Sequence, residues 1–173
     1  MKFWVGVTDK NWFDYLANIK PDEVNFWKPG GQGFRVLEIG ELFLFKLHSP
    51  INKIVGGGFF IRAEQLPLSL AWDAFGNKNG AENYFTLRNI INQYRKLEEA
   101  DPTIGCIILN EPFFFPEDQW IDVPDSFTKN IVIGKSYDTT EYEGKRLWDS
   151  VMERLNSWGT KIVSEPENDY RKE

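Results

Sequence analysis

Two periodicities divide the chain. In its first half, apolar residues come in short bursts between turn signals: Lys2 to Val7, Val24 to Trp27, Leu42 to His48 and Lys53 to Arg62. Such bursts predict strands, and the last two are so uniformly apolar that they are expected in the middle of a sheet. Thr8 is expected to cap a short helix through about Asn18, with Trp12, Phe13 and Leu16 on one side. Pro29-Gly30-Gly31-Gln32-Gly33 predicts a loop, and Ser49-Pro50-Ile51-Asn52 a turn. In the second half, Leu68 to Phe75 predicts a short helix stopped at Gly76. Tyr84, Leu87, Ile91, Tyr94 and Leu97 recur at helical spacing within residues 80–99. Thr103 to Leu109 and Asn130 to Ile133 predict two more strands, with an irregular aromatic and proline-rich loop over 111–124 between them. Thr140 and Glu143 offer a capping box for a last helix bearing Leu147, Trp148, Val151, Leu155 and Trp158. Beyond Gly159 the chain turns polar. The expected organisation is one domain over 1–159 and a polar tail, or the start of a linker, over 160–173.

Composition narrows the class. The chain has 173 residues, 42% of them hydrophobic, and carries 7 Trp, 6 Tyr and 14 Phe, a heavy aromatic load for one domain. Its 20 basic and 26 acidic residues give a net charge of -6, which argues against a general coat of phosphate neutralisers. The distribution is uneven. Within residues 24–62, Lys28, Arg35, Lys46, Lys53 and Arg62 stand against only Glu38 and Glu41, so an anion-facing surface is expected there. Cys106 is the only cysteine and His48 the only histidine, so neither an internal disulfide nor a Cys/His zinc site can form. No stretch approaches the roughly 20 apolar residues that span a bilayer, and the apolar start is too short for a signal peptide. A soluble, cytoplasmic domain without membrane contact, cofactor or metal is the expectation.

Candidate chemistry clusters in the first half. In Asn25-Phe26-Trp27-Lys28-Pro29-Gly30-Gly31, an aromatic beside an amide, a cation and a glycine loop can stack a base while meeting a phosphate. The plainer alternative is that Phe26 and Trp27 are core residues at a strand end. Lys46 and His48 lie two apart on one strand, hence on one face, and with Ser49, Asn52 and Lys53 they suggest the rim of a pocket. Gly56-Gly57-Gly58 and Gly30-Gly31-Gln32-Gly33 fit neither the P-loop nor the dinucleotide spacing; glycines inside a strand mark a bulge or a close approach. Cys106 sits in an apolar run and reads as an inert small hydrophobe. Phe113, Phe114, Phe115 and Trp120 offer either a stacking platform or a loop folded over the core. Tyr137, after Lys135 and Ser136, could flank a base or close the core. The chain reads as a binder rather than a catalyst.

Several segments resemble one family. They are Phe3-Trp4-Val5-Gly6-Val7-Thr8-Asp9, Val24-Asn25-Phe26-Trp27-Lys28-Pro29, Leu42 through Pro50, Ile54 through Phe60, Leu68 through Gly76, Ile104 through Leu109 and Asn130 through Asp138. Together they resemble the EVE-like domain of the PUA superfamily found at the N-terminus of bacterial modification-dependent HNH restriction endonucleases, to about Trp158. The resemblance implies an α+β fold, a twisted mixed β-barrel flanked by helices. It also implies a pocket that takes a modified cytosine, 5-methyl or 5-hydroxymethyl, flipped out of double-stranded DNA. On this reading Asn25, Phe26, Trp27, His48, Ser49, Trp72 and Tyr137 form the base pocket. Lys28, Arg35, Lys46, Asn52, Lys53 and Lys135 contact phosphate and groove. The basic pocket loop of typical EVE domains is replaced here by Lys28 through Arg35. With one histidine the chain lacks the HNH motif, so it would be the non-enzymatic reader of a parent whose C-terminal HNH nuclease domain cuts, as monomer or dimer. An RNA-binding PUA-like domain, a small-molecule-binding enzyme and a protein-interaction module stay open as alternatives.

Overall fold

The computed structural model describes residues 1–158; the tail expected over 160–173 lies outside the described residues. Seven strands make one mixed sheet: β1 (Lys2–Thr8), β2 (Glu23–Lys28), β3 (Leu42–Leu47), β4 (Lys53–Pro67), β5 (Thr103–Phe114), β6 (Ile121–Asp122) and β7 (Gly134–Asp138). The sheet runs β2-β5-β4-β3-β1-β7, with β6 paired to β4. Only β1 and β3 are parallel; every other pairing is antiparallel. The α+β class is as expected, but β2 and β7 end the sheet without meeting, so an open sheet stands where a barrel was expected. Among the described residues four α-helices flank it: α1 (Lys10–Ile19), α2 (Leu68–Phe75), α3 (Tyr84–Arg95) and α4 (Tyr142–Ser157).

Strand alternation sorts the side chains into distinct packed regions. Phe43, Phe45 and Leu47 of β3, with Ile107 and Leu109 of β5, face Trp12, Phe13 and Leu16 of α1 and the loop residues Phe34 and Leu37. The alternate positions Leu42 and Leu44, with Phe3 and Val5, receive Leu147, Val151 and Leu155 of α4. Ile104, Cys106 and Ile108 are covered by Leu68, Ala71 and Phe75 of α2 and by Leu87 and Ile91 of α3. Burial raises the Cys106 thiol pKa, in keeping with a packed, protonated cysteine.

Several local expectations are corrected. Asp9, not Thr8, caps α1: its Oδ1 accepts from the Trp12 backbone N–H at 2.8 Å, while Thr8 completes β1. α3 is shorter than residues 80–99, because Asn83 caps it through the Thr86 N–H and Lys96 ends it in the left-handed region. The Thr140–Glu143 capping box does not form. Glu141 takes the N-cap position without a side-chain bond, Thr140 is bonded to Asp138, and Glu143 accepts from the Ser126 N–H. β5 continues through the stretch expected as a loop, to Phe114. Asn130 to Ile133 is turn, and the strand there begins one residue later. The three consecutive glycines of β4 are structural: a Cβ on Gly56 would lie 2.3 Å from the Phe113 carbonyl oxygen, and one on Gly57 2.6 Å from that of Phe43. Among the described residues no helix is long and apolar enough to cross a membrane.

Candidate nucleic-acid interface

The end of β2 opens into a cavity of about 230 Å3 between α1, α3 and the turn that precedes β7. Phe26, Trp27, Trp12 and Tyr94 supply its aromatic lining, while Lys28, His48 and Asp9 supply polar groups. Apolar walls with a few convergent polar groups are the usual make-up of a ligand site. Its size is below the ~300–1,000 Å3 of drug-sized sites and suits a single planar ring.

Trp27 is held rather than loose. Its indole N–H donates to the Asn79 carbonyl at 2.8 Å, and its ring meets Tyr94 edge-on at 6.1 Å between centroids. Asn79 is fully buried in the short turn after α2. Its Nδ2 donates to Ala71 and Gly76 carbonyls at 3.1 and 2.8 Å, and its Oδ1 accepts from Asn25 Nδ2 at 2.9 Å. Asn25 Oδ1 in turn accepts from the Ile107 N–H at 3.2 Å. Asn25 is therefore a strut behind the cavity and not part of its lining. A closed amide network of this kind fixes geometry because each buried group has its partner.

Trp12 crosses Phe26 and Phe45 at near right angles, at 5.3 and 5.0 Å. Its indole N–H is buried and has no acceptor among the described residues. Gly80, at φ +89°, lets the Trp12 ring sit where any Cβ would collide with it at 2.1 Å. The rim is braced as well. Arg95 donates to the Pro29 carbonyl at 2.8 Å, and Gln65 donates to that of Gly31, so the glycine loop after β2 is pinned from two sides.

Two features give the site its polarity. Tyr94 Oη donates to Asp9 Oδ2 at 2.9 Å. Desolvation, reinforced by that carboxylate, pushes the Tyr94 phenol up to about 12. Asp9 thus ties the start of α1 to α3 while still facing the cavity. Burial lowers the Lys28 pKa, and its ammonium lies 5.5 Å above the Phe34 ring. Among the described residues neither Lys28 nor His48 is in an ion pair.

The structure brings Phe26, Trp27, Lys28 and His48 together around this cavity, with Asn25 behind them. The other candidates stand elsewhere. Lys46 does not share a rim with His48: its ammonium donates to Asn52 Oδ1 at 2.8 Å, lies 5.1 Å over Phe127, and is buried with a lowered pKa. Asn52, at φ +51°, also accepts from the Ser49 hydroxyl, so Ser49 and Asn52 serve their own turn. Lys53 pairs with Asp122 across β4 and β6. Arg35 is exposed beyond the glycine loop. Trp72 packs against the α2–α3 region. Tyr137 is buried, stacked on Phe3 at 5.8 Å, with Lys135 over its ring. Phe113 and Phe115 are core, and Trp120 closes onto the Phe115 carbonyl, so the stacking platform considered for them does not exist. Residues missed in the sequence are Asp9, Trp12, Asn79 and Tyr94. The placement of α1, α3 and the turn after α2 brings them to one place; the sequence signal available was the N-cap pattern at Asp9. Among the described residues, no three of His, Cys, Asp and Glu converge as metal ligands would.

The open mixed sheet flanked by helices is a fold that the chain shares with solved ASCH structures. Among solved structures the chain is similar to ASCH from Zymomonas mobilis, at 10% identity over 85% of this chain and 94% of that one, with a TM-score of 0.57. A tyrosine-to-phenylalanine mutant of that protein aligns at 12% identity over 86% and 98%, with a TM-score of 0.56. A serine-to-alanine mutant of it aligns at 9% over 86% and 95%, with a TM-score of 0.53. At such identities the likeness is one of fold. No protein-family model matches the chain, and no curated protein matches its sequence.

Proposed function

We propose that this domain binds nucleic acid by taking one unstacked base into the aromatic cavity, and that the base is a modified cytosine extruded from duplex DNA. The observation that carries the proposal is the juxtaposition of Trp27, fixed through Asn79, with two basic side chains free of ion pairs among the described residues, Lys28 and His48, around the same cavity. Stacking on aromatics contributes about 1–3 kcal/mol per base, comparable to the few kcal/mol that extrusion costs. Lys28 supplies the salt-dependent attraction to phosphate, and His48 a hydrogen-bonding group beside it.

A methyl group alone cannot define the ligand. Its burial contributes under about 1 kcal/mol, and thymine carries the same methyl on the same ring. The two differ at the pairing edge, where cytosine presents an amino donor and thymine a carbonyl acceptor. Asp9 is the carboxylate on the cavity wall, and a carboxylate accepts from the cytosine amine but repels the thymine carbonyl. The cavity thus supports cytosine by its polar edge and modification by its apolar wall. The attachment to an HNH nuclease rests on the sequence resemblance and forms the outer frame of the proposal.

The test is fluorescence anisotropy on matched duplexes differing at one position: cytosine, 5-methylcytosine, 5-hydroxymethylcytosine or thymine, at two salt concentrations. The reading predicts a modified cytosine bound best and thymine rejected. In Asp9→Asn, whose amide still caps α1, the preference over thymine should shrink by about tenfold, the scale of one base-edge hydrogen-bond set. Equal affinity for all four duplexes would refute it. PUA-like RNA binding is the second reading, favoured by the accessibility of the cavity to any unpaired base. Tighter binding to single-stranded RNA than to every duplex would establish it instead.

A further inference from the structure

We infer that Val132 and Ile133 form an apolar wedge that enters the duplex and fills the gap left by the extruded base; this rests on the base-binding reading of the neighbouring cavity. Both residues line that cavity, yet they are 70% and 54% exposed. Two consecutive β-branched apolar residues left in water beside a ligand site have no role in packing, and exposed apolar surface at a polar rim marks a contact site.

Their presentation is rigid. The Ile133 carbonyl accepts from the Val7 N–H at 2.9 Å, which fixes the turn against β1. Ile131, just before them, bonds back to the Thr128 carbonyl at 3.1 Å and packs against the α4-covered core. The side chains of Val132 and Ile133 therefore stand out from an anchored backbone.

The surroundings select the occupant. Lys129 precedes the pair in the chain and Lys135 follows it; among the described residues neither is in an ion pair, and the Lys135 ammonium lies over the Tyr137 ring. An apolar tip with a lysine on either side of it along the chain, next to a base-sized cavity that also has Lys28 at its rim, suits a base stack between two phosphate backbones. It is not complementary to a purely apolar protein face. Proteins that distort duplexes commonly place apolar side chains between base steps. The same wedge has nothing to fill on a single strand, so it should favour duplex over single-stranded nucleic acid.

The double variant Val132→Ser/Ile133→Ser tests this. Both positions are exposed, so thermal melting should match the wild type; Val132→Leu/Ile133→Leu serves as the conservative control and should retain binding. Affinities are measured for a duplex with one 5-methylcytosine, for the same strand alone, and for the duplex with that base mispaired. The Ser variant should lose about tenfold on the paired duplex, change less than about twofold on the single strand, and recover on the mispaired duplex, where extrusion is easier. Equal loss on all three ligands, or none, overturns the wedge while leaving the base pocket standing. Loss of wild-type binding to the single strand in Trp27→Ala tests the pocket itself and is read separately. A shift from dimer to monomer in the Ser variant, with duplex affinity unchanged, would make the pair a contact between copies of the chain and overturn the wedge as well.

Discussion

Trp27 beside Lys28 and Tyr137 beside Lys135 look alike in sequence, each an aromatic and a cation within two positions near a strand end. The structure treats them oppositely. Tyr137 lies on β7, whose partner β1 places it over Phe3, and α4 closes the region with Trp148, 5.8 Å from the same Phe3 ring. Its hydroxyl meets Ser126 at 3.2 Å, and burial raises its pKa. Trp27 lies on the terminal strand β2 and meets the turn around Asn79 and the side of α3. What decides the fate of an aromatic here is whether a helix is laid across it. A 16-residue helix covers one region, while α1 and α3 flank the other and leave a base-sized gap.

This contrast sets the expected effects. Tyr137→Ala should destabilise the fold by about 3–5 kcal/mol, as for other buried aromatics, with base binding unchanged in the folded fraction; chemical denaturation read beside anisotropy checks both halves. Asn79→Ala should cost about 3 kcal/mol, because it leaves the Asn25 amide and two buried carbonyls without partners. The Trp27 indole keeps its backbone acceptor at position 79, so binding in the folded fraction should fall far less than stability. Trp27→Ala should reverse the pattern of Tyr137→Ala: binding to a 5-methylcytosine duplex weakens by about 1–3 kcal/mol, with a much smaller loss of stability. Unchanged affinity in a folded Trp27→Ala protein would erase the difference between the two regions.

Electrostatic effects come next. The chain is acidic overall, so the wild type should make few phosphate contacts, and log K should fall with log salt at a slope of about -3 to -5. Lys28→Ala should reduce that slope by about one, whereas Lys46→Ala, removing a buried cation bonded to Asn52, should leave it unchanged. The smallest effect is the titration of Tyr94. Because its folded pKa lies near 12, above the ordinary value of 10.0, its contribution to stability is complete below pH 10 and is lost as pH rises towards 12. The ultraviolet difference spectrum between wild type and Tyr94→Phe should show this phenolate forming at that high pH. An ordinary titration would mean that Tyr94 is neither buried in the cavity wall nor held by Asp9.

How far the fold could be read follows the same line. β2, β3 and α2 were legible within a residue or so, since their apolar runs are unbroken and bounded by Gly, Pro or charged turns. β5 was not. Glu111-Pro112 reads as a break, but it is a bulge: Phe59 pairs with Asn110 and Gly57 with Phe113, Glu111 sits at φ +48°, and proline at such a place gives up no ladder bond. Asn130 to Ile133 read as a strand from its apolar character, yet β7 forms from the polar residues after it, as an end strand pairing only with β1. Of the cavity, the half on β2 was legible because Phe26, Trp27 and Lys28 are consecutive. The other half, Asp9, Trp12 and Tyr94, comes from two helices and depends on tertiary placement that local patterns do not encode. Lys46 and His48 looked equivalent by alternation, but Lys46 stays on the Leu42 and Leu44 face and reaches Asn52 and Phe127, while His48 lies past the end of β3 and lines the cavity.

The central claim, that the cavity holds an unstacked base, is tested most directly by following the indole N–H resonances of the seven tryptophans while adding a duplex with one 5-methylcytosine. The Trp27 and Trp12 signals should shift strongly, by the ring current of a stacked base and, for Trp12, by a new acceptor at its N–H, which has none among the described residues. Trp72 and Trp148 should stay in place, and the unmodified duplex should move all of them far less. Binding accompanied by shifts at Trp72 or Trp148, with Trp27 and Trp12 unmoved, would contradict the account.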